Sequence, residues 1–237
     1  MVKSYSKNAN RNMRRPVVKE EVVAMLRDKV TPNKSHLQEL ERFAQSENIP
    51  IIPLETASYF RWLLAVIQPN SILELGTAIG YSALLMADSA PTATITTIER
   101  NQEMIGFAKK NIAAYDVRRQ ITLMEGDAQE KLTELPDNHF DFVFMDSAKS
   151  KYIVFLPEVL KKVVKGGVVL LDDVLQGGDV TLDILAIKRG QRAIYRGLHA
   201  LFDATFNHPD LTTSLIPVSD GILCIRKNSE NIVLDEA

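Results

Sequence analysis

At 237 residues, 46% hydrophobic and 24% charged, the chain has the make-up of an ordinary globular protein with ample material for a core. A net charge of −2 gives no global pull toward polyanions, and no run nears the roughly 20 apolar residues that cross a bilayer. The lone cysteine, Cys224, excludes an internal disulfide; in its apolar, strand-like run it reads as a buried, unreactive thiol. The expected location is cytoplasmic, with no membrane partner.

Lys3, Lys7, Arg11, Arg14 and Arg15 crowd the first 15 residues without one acid, which reads as a flexible basic tail. The following KEEVVAMLRDK is charged, unlike the core of a signal peptide. Residues 16–237 read as a single domain that opens with a helical cap over 16–50. Amphipathic helices are expected over 17–29 and 35–47, parted by Thr31-Pro32-Asn33. Pro50 and Pro53 bracket a short connection before a third helix over about 55–67.

From Ser71 strands and helices alternate. SILEL, TITTIE, QITLMEG, FDFVFMD and GGVVLLDD read as strands, each followed by a helical stretch, the last of them long, over roughly 180–204. The chain closes with LTTSLIPVSDGILCIRK, two strands joined at a Ser219-Asp220-Gly221 turn. Such alternation predicts an α/β fold, a Rossmann-like, mostly parallel sheet with helices on both faces. The closing hairpin makes the last strand antiparallel, expected at the sheet's edge.

In such sheets ligands bind beyond the carboxyl ends of the strands, where strand order reverses. The first of these ends is Glu74-Leu75-Gly76-Thr77-Ala78-Ile79-Gly80-Tyr81-Ser82. A dinucleotide loop needs glycine where Ala78 stands, and Glu74 is a poor neighbour for phosphates. A ligand with a cationic centre and a carboxylate suits the loop better. Glu74 faces the cation, while the helix start after Gly80 and the Ser82 hydroxyl take the carboxylate. Glu99, ending the next strand, stands where an acid takes a ribose diol, and Gly126-Asp127-Ala128 stands where an adenine would be edged.

Two further strand ends carry acids, Asp146 in FMDSAKSKY and the Asp172-Asp173 pair in VVLLDDV. Carboxylates meeting at neighbouring tips repel unless a cation sits among them. Oxygen ligands without nearby His or Cys point to Mg²⁺, with Mn²⁺ or Ca²⁺ as alternatives. Lys149 follows Asp146 by three residues, placed to favour an oxyanion and take its proton. His36, His139, His199 and His208 lack ligand spacing and read as surface or packing residues.

Taken together, ELGTAIGYSA, TIER, EGDA, FMDSAKSKY, the DDV segment and IPVSDGI resemble the metal-dependent O-methyltransferases that include catechol and caffeoyl-CoA O-methyltransferases. The similarity runs from about Ile52 to Arg226 and is greatest to the small bacterial branch that includes tRNA 5-hydroxyuridine methyltransferase. The resemblance implies a seven-stranded sheet, a homodimer and S-adenosylmethionine as cofactor. It implies cofactor contacts at Glu74, Gly76, Ser82, Glu99, Ala128 and Asp146, with Ile52 near the methionine end. It also implies a metal on Asp146, Asp172 and Asp173, and catalysis by Lys149. The family usually has Asp-Asn where this chain has Asp172-Asp173.

These features lead to an expected reaction in which a substrate hydroxyl loses its proton and attacks the sulfonium methyl. The basic tail and the run Lys188, Arg189, Arg192 and Arg196 tilt the expected substrate toward tRNA, as 5-hydroxyuridine of an anticodon loop. The alternative substrate is a catechol-like or phenylpropanoid small molecule, for which Trp62, Tyr152 and Phe155 are available aromatics.

Overall fold

The computed structural model describes residues 17–234. The expected basic tail therefore lies outside the described residues. Three helices come first: α1 (Glu20–Lys29), α2 (Ser35–Glu47) and α3 (Leu54–Ile67). Then follow β1 (Ser71–Leu75), α4 (Tyr81–Ser89), β2 (Thr94–Glu99), α5 (Gln102–Tyr115), β3 (Ile121–Glu125) and the short α6 (Ala128–Lys131). The chain continues through β4 (Phe140–Met145), α7 (Tyr152–Lys162), β5 (Val163–Leu171), α8 (Arg192–Phe206), β6 (Leu211–Ile216) and β7 (Ile222–Lys227).

All seven strands form one sheet in the order β3-β2-β1-β4-β5-β7-β6. Pairs β3–β2, β2–β1, β1–β4 and β4–β5 are parallel, whereas β7 runs antiparallel to both β5 and β6. The expected reversed last strand is present, but it is not the edge. The crossover through α8 delivers β6 one place beyond β5, and the tight return then inserts β7 into the slot between them. Ser219 and Gly221, both at positive φ, make that return.

Side-chain alternation along the central strands divides the core into two layers, one per face. Leu73, Leu75, Val143, Met145, Val169 and Leu171 face α7 and α8. Ile72, Phe142, Phe144 and Leu170 face α2, α3 and α4, where Leu37, Leu40, Phe60 and Leu64 complete the layer. The helical cap is thus built into the sheet's own core. β1 is buried at all five positions, so its apolar residues Ile72, Leu73 and Leu75 serve both faces, and Ser71 and Glu74 are buried with them.

One expected helix is shorter than its pattern. Over 180–204 only the part from Arg192 is α-helical; two 3₁₀ turns, Gln176–Thr181 and Arg189–Gln191, lie before or at its start. Local side chains divert the backbone. Asp183 accepts a hydrogen bond from the Leu185 amide at 2.7 Å, and Arg192 caps the carbonyls of Ile187 and Leu185 at 3.0 and 3.3 Å.

Phe60 is fully buried and meets Phe144 edge-to-face, with centroids 4.7 Å apart at 87°. Replacing it with Ala should cost about 3–5 kcal/mol in urea unfolding, the usual range for a buried ring. A loss within experimental error would show that α3 is not bound through this contact.

Candidate active site

Beyond the strand ends the parallel ladder runs on by one residue. The amides of Gly126, Gly76, Asp146 and Asp172 donate to the carbonyls of Glu99, Ile98, Leu75 and Met145, at 2.8, 3.0, 2.9 and 3.0 Å. These bonds set the tips of β3, β2, β1, β4 and β5 side by side. Tyr152, buried at the start of α7, reinforces the arrangement. Its hydroxyl is shared between the Met145 and Asp172 carbonyls at 3.2 and 3.1 Å. Burial, followed by the charges of Asp146, Asp172 and Asp173, pushes the phenol's pKa far up, so Tyr152 remains a donor.

Gly76 occupies positive φ (103°), and a Cβ there would lie 2.1 Å from the Asp146 carbonyl oxygen. Only glycine lets β1 turn away this close to β4. A cleft of ≈ 250 Å³ opens over this point. Of the residues singled out from sequence, Ile52, Gly76, Ser82, Glu99, Asp146, Lys149, Asp172 and Asp173 line it together. Gly80 lies at the entry of α4 as its N-cap, at positive φ.

Glu74 lies beneath the lining, fully buried. The Thr97 hydroxyl donates to its Oε2, and the hydroxyls of Thr97 and cleft-lining Thr77 stand 2.6 Å apart, so Thr77 donates to Thr97. Its Oε1 has no hydrogen-bond partner; the Ser82 hydroxyl is near enough to favour the carboxylate but outside bonding geometry. Burial raises the Glu74 pKa to about 7, the hydroxyls of Ser82 and Thr97 oppose that rise, and the charges of Asp146 and Glu99 add to it. A buried, partly unpaired carboxyl below the cleft floor suits a cationic ligand above it.

Glu99 is more fully engaged than its sequence position suggests. Oε2 accepts from the Ala78 amide at 2.9 Å, and Oε1 accepts from the amides of Arg100 and Asn101 at 2.9 and 2.8 Å. About one of a carboxylate's four acceptor positions is left for a ligand hydroxyl. Asp127 and Ala128 do not line the cleft. Asp127 is the N-cap of α6, accepting from the Gln129 amide at 2.9 Å and pairing with Arg100 at 3.1 Å; the amide bond chiefly holds its carboxyl below the usual range.

The acids on β4 and β5 share the cleft without forming a finished cage. Asp172 is buried, and its Oδ1 accepts from the Asp173 amide at 2.9 Å. Burial first, then the charges of Asp173 and Asp146, hold its carboxyl well above the ordinary range. Asp173 sits at positive φ (57°), a conformation that Asp and Asn tolerate best among residues with a side chain, and its Oδ2 meets Lys149 Nζ at 2.7 Å. Among the described residues no three Asp, Glu, His or Cys side chains converge closely enough to hold a metal ion. The donor chemistry suits a hard divalent cation; the arrangement would have to close around one.

Several lining residues had no functional signal in the sequence. Pro50, Ile51 and Pro53 form an apolar wall, and Tyr81, Ser147 and Ser219 complete the surface. The proline-bracketed connection was visible, but its place over the cleft depends on how α2 and α3 pack. Trp62, offered as a pocket aromatic, is 62% exposed on α3, whereas Tyr152 and Phe155 are core residues. His36 packs between Asp88, at 3.0 Å, and the ring of Tyr115. Cys224 is partly buried with its sulfur 3.7 Å from the Tyr59 hydroxyl, and burial raises its thiol pKa. Among the described residues no helix is long and apolar enough to cross a membrane.

Comparison with known proteins agrees with this architecture. The family model described as O-methyltransferase matches residues 27–228. An O-methyltransferase of Aspergillus thermomutatus, ankF, is 30% identical over 174 residues, 69% of this chain and 73% of that protein. A caffeoyl-CoA O-methyltransferase of Stellaria longipes is 26% identical over 208 residues, covering 84% of this chain and 86% of its own. The S-adenosylhomocysteine-bound structure of the Podospora anserina methyltransferase PaMTH1 shares the fold, with a TM-score of 0.79, 23% identity and coverage of 88% and 94%. The chain belongs to the O-methyltransferase family, and with it to the S-adenosylmethionine-dependent O-methyltransferases.

Because Glu74 titrates higher when folded than its ordinary 4.5, the folded state holds its proton over a range where the unfolded chain has lost it. That contribution to stability is full below pH 4.5 and is lost as pH rises toward 7, by about 3 kcal/mol. Urea unfolding at pH 5 and pH 8 should show this loss in the cofactor-free protein, and Glu74→Gln should flatten it. An unchanged pH response in the variant would assign the effect to another group.

Proposed function

We propose that the chain methylates one of two neighbouring oxygens on a small aromatic molecule of the catechol or phenylpropanoid class, with a bound divalent cation as helper. The observation that carries this reading is the shared cleft. Lys149, Asp146, Asp172 and Asp173 line the same ≈ 250 Å³ space as the apolar Pro50, Ile51, Ile52 and Pro53. The space is of small-molecule dimensions, and the apolar wall suits an aromatic ring. Relatives with caffeoyl-CoA in their names support the same substrate class.

In this reading Gly76, Ser82 and Ile52 would hold the cofactor's methionine end, and Glu74 would be the carboxyl for its cationic centre. Glu99 would take one ribose hydroxyl, and the adenine would extend past the cleft toward Asp127-Ala128, which do not line it. Asp146, Asp172 and Asp173 would hold Mg²⁺, or Mn²⁺ or Ca²⁺, which would supply Lewis acidity that favours loss of a hydroxyl proton. Lys149, once its own ammonium proton has passed to solvent, would take the hydroxyl's proton, and the cofactor would supply the methyl group to that oxygen and leave as S-adenosylhomocysteine. Holding both partners at attack distance supplies on the order of 7–11 kcal/mol of the barrier reduction.

A tRNA substrate is the second reading, favoured by the exposed Lys188, Arg189 and Arg196. Of the cluster singled out from sequence, Arg192 is tied to the backbone carbonyls of Ile187 and Leu185, which leaves three cations for a phosphate backbone. A second copy of the chain is the partner we propose for the apolar surface of α1 and α3, which exposes Val22, Met25, Leu26, Trp62 and Val66.

Methyl transfer from labelled cofactor should appear with a catechol or caffeoyl thioester, fall on adding chelator, and be absent with bulk tRNA. Transfer to tRNA alone, weakening steeply with salt, would establish the second reading instead. Lys149→Ala should lower turnover by about 10²–10⁴-fold while cofactor affinity is retained. Sedimentation should give a dimer that Trp62→Arg dissociates; a monomeric wild type would remove the proposed self-association.

A further inference from the structure

Lys149 does more in this structure than stand near a reacting hydroxyl. Its ammonium meets Asp173 Oδ2 at 2.7 Å with both side chains largely sheltered, at 16% and 18% exposure. The pair stands next to the buried Asp172, whose carboxyl bonds to the Asp173 amide. The backbone beneath Lys149 is braced as well. It opens the 3₁₀ turn Lys149–Lys151, and α8 packs so tightly on that turn that a Cβ at Gly197 would lie 3.2 Å from the Ser150 carbonyl oxygen. Gly197 itself is buried. The fold therefore delivers a cation to the acids from a fixed base.

Four carboxylates line this cleft, Glu99, Asp146, Asp172 and Asp173, and among the described residues Lys149 is the cation that lines it with them. A sheltered ammonium on Asp173 neutralises part of their charge and draws the Asp173 carboxylate toward itself. A divalent ion arriving at the same carboxylate would stand within a few ångströms of a like charge, where repulsion is strong and poorly screened.

We propose that Lys149 is the resident counter-cation of the metal-free site, so that uptake of the divalent ion and release of Lys149 from Asp173 are one exchange. This rests on the metal reading given above. The exchange couples two functions in one residue: Lys149 is held by Asp173 while the ion is missing, and is freed toward the substrate side when the ion binds. Asp173, where the resemblance leads one to expect Asn, is the positioning residue that makes the lock ionic. An asparagine at that place offers an oxygen to either cation but no charge to an ammonium.

The test is metal affinity, which needs neither cofactor nor turnover. Mn²⁺ is titrated into the chelator-treated full chain by calorimetry, for wild type, Lys149→Met and Lys149→Arg. Lys149→Met should bind Mn²⁺ about ten- to a hundredfold more tightly than wild type, the usual range for coupling between two bound groups. Its metal-free form should melt at a lower temperature and recover more on adding Mn²⁺. Lys149→Arg keeps the competing charge and should bind within a few-fold of wild type. Equal or weaker binding by Lys149→Met, with wild type binding normally, overturns the exchange and leaves the metal reading intact. No Mn²⁺ binding by any of the three, with cofactor binding preserved, overturns both. Tight binding by Lys149→Arg as well as Lys149→Met would mean that the lysine obstructs by its shape rather than its charge, which also overturns the proposal.

Discussion

Everything chemical in this protein depends on the hydrogen-bond ladder continuing one residue past the ends of the parallel strands. Four amides, those of Gly126, Gly76, Asp146 and Asp172, donate across to the neighbouring strand's carbonyls. A parallel sheet in register brings successive strand ends to the same level, and these bonds fix the first loop residues there as well. Side chains far apart in sequence thus share one cleft. Tyr152 adds a further tie, spanning the carbonyls of Met145 and Asp172 from a core position. Its phenol belongs to the support of the site rather than to its surface.

The same closeness restricts which residues can stand in the first loop. β1 and β4 approach so nearly that the Asp146 carbonyl fills the space where a side chain of residue 76 would begin. Glycine at 76 answers a backbone constraint imposed by the neighbouring strand. Ala78, where a dinucleotide loop would need another glycine, takes positive φ and gives its amide to Glu99 instead. That bond turns the tip of β2 toward the loop of β1 and occupies part of a carboxylate that sequence alone assigned wholly to a ligand. The loop's glycines and the acid at the next strand end form one backbone-organised unit.

The strands were legible because each is an apolar or β-branched run bounded by turn-forming residues, a composition that burial rewards in the central β1 and β4 and pleat geometry in the edge strands β3 and β6. The acids were legible for a related reason: each directly follows such a run, where a charge has no place in the core. What sequence hid were outcomes of packing between distant segments. The start of α8 depends on Asp183 and Arg192 capturing local backbone groups that a periodic pattern does not register. The slot taken by β7 depends on where the α8 crossover places β6. Trp62 follows the helical pattern of α3 yet faces outward, because Phe60 and Leu64 already fill the inward stripe.

The charges around the cleft have a consistent sense. Glu74 and Asp172 are both deeply buried, and both hold their protons more firmly than an exposed acid would. Asp172 lines the cleft with Lys149, while Glu74, near the start of the glycine loop, is buried outside its lining. Burying carboxyls costs stability unless something positive offsets them, so a fold that does it twice in one cleft gives up stability in its empty form. In the reading proposed here each acid has its own cation, the onium cofactor over Glu74 and the divalent ion beside Asp172. Binding of either then recovers what folding lost at that point. Lys149 meanwhile offsets Asp173 and, in part, Asp172, whereas Glu74 meets the hydroxyls of Thr97 and Ser82 and the like charges of Asp146 and Glu99. The two halves of the site are therefore unequal in their metal-free, cofactor-free state: one is held by a charge that must be displaced, the other waits for one to arrive.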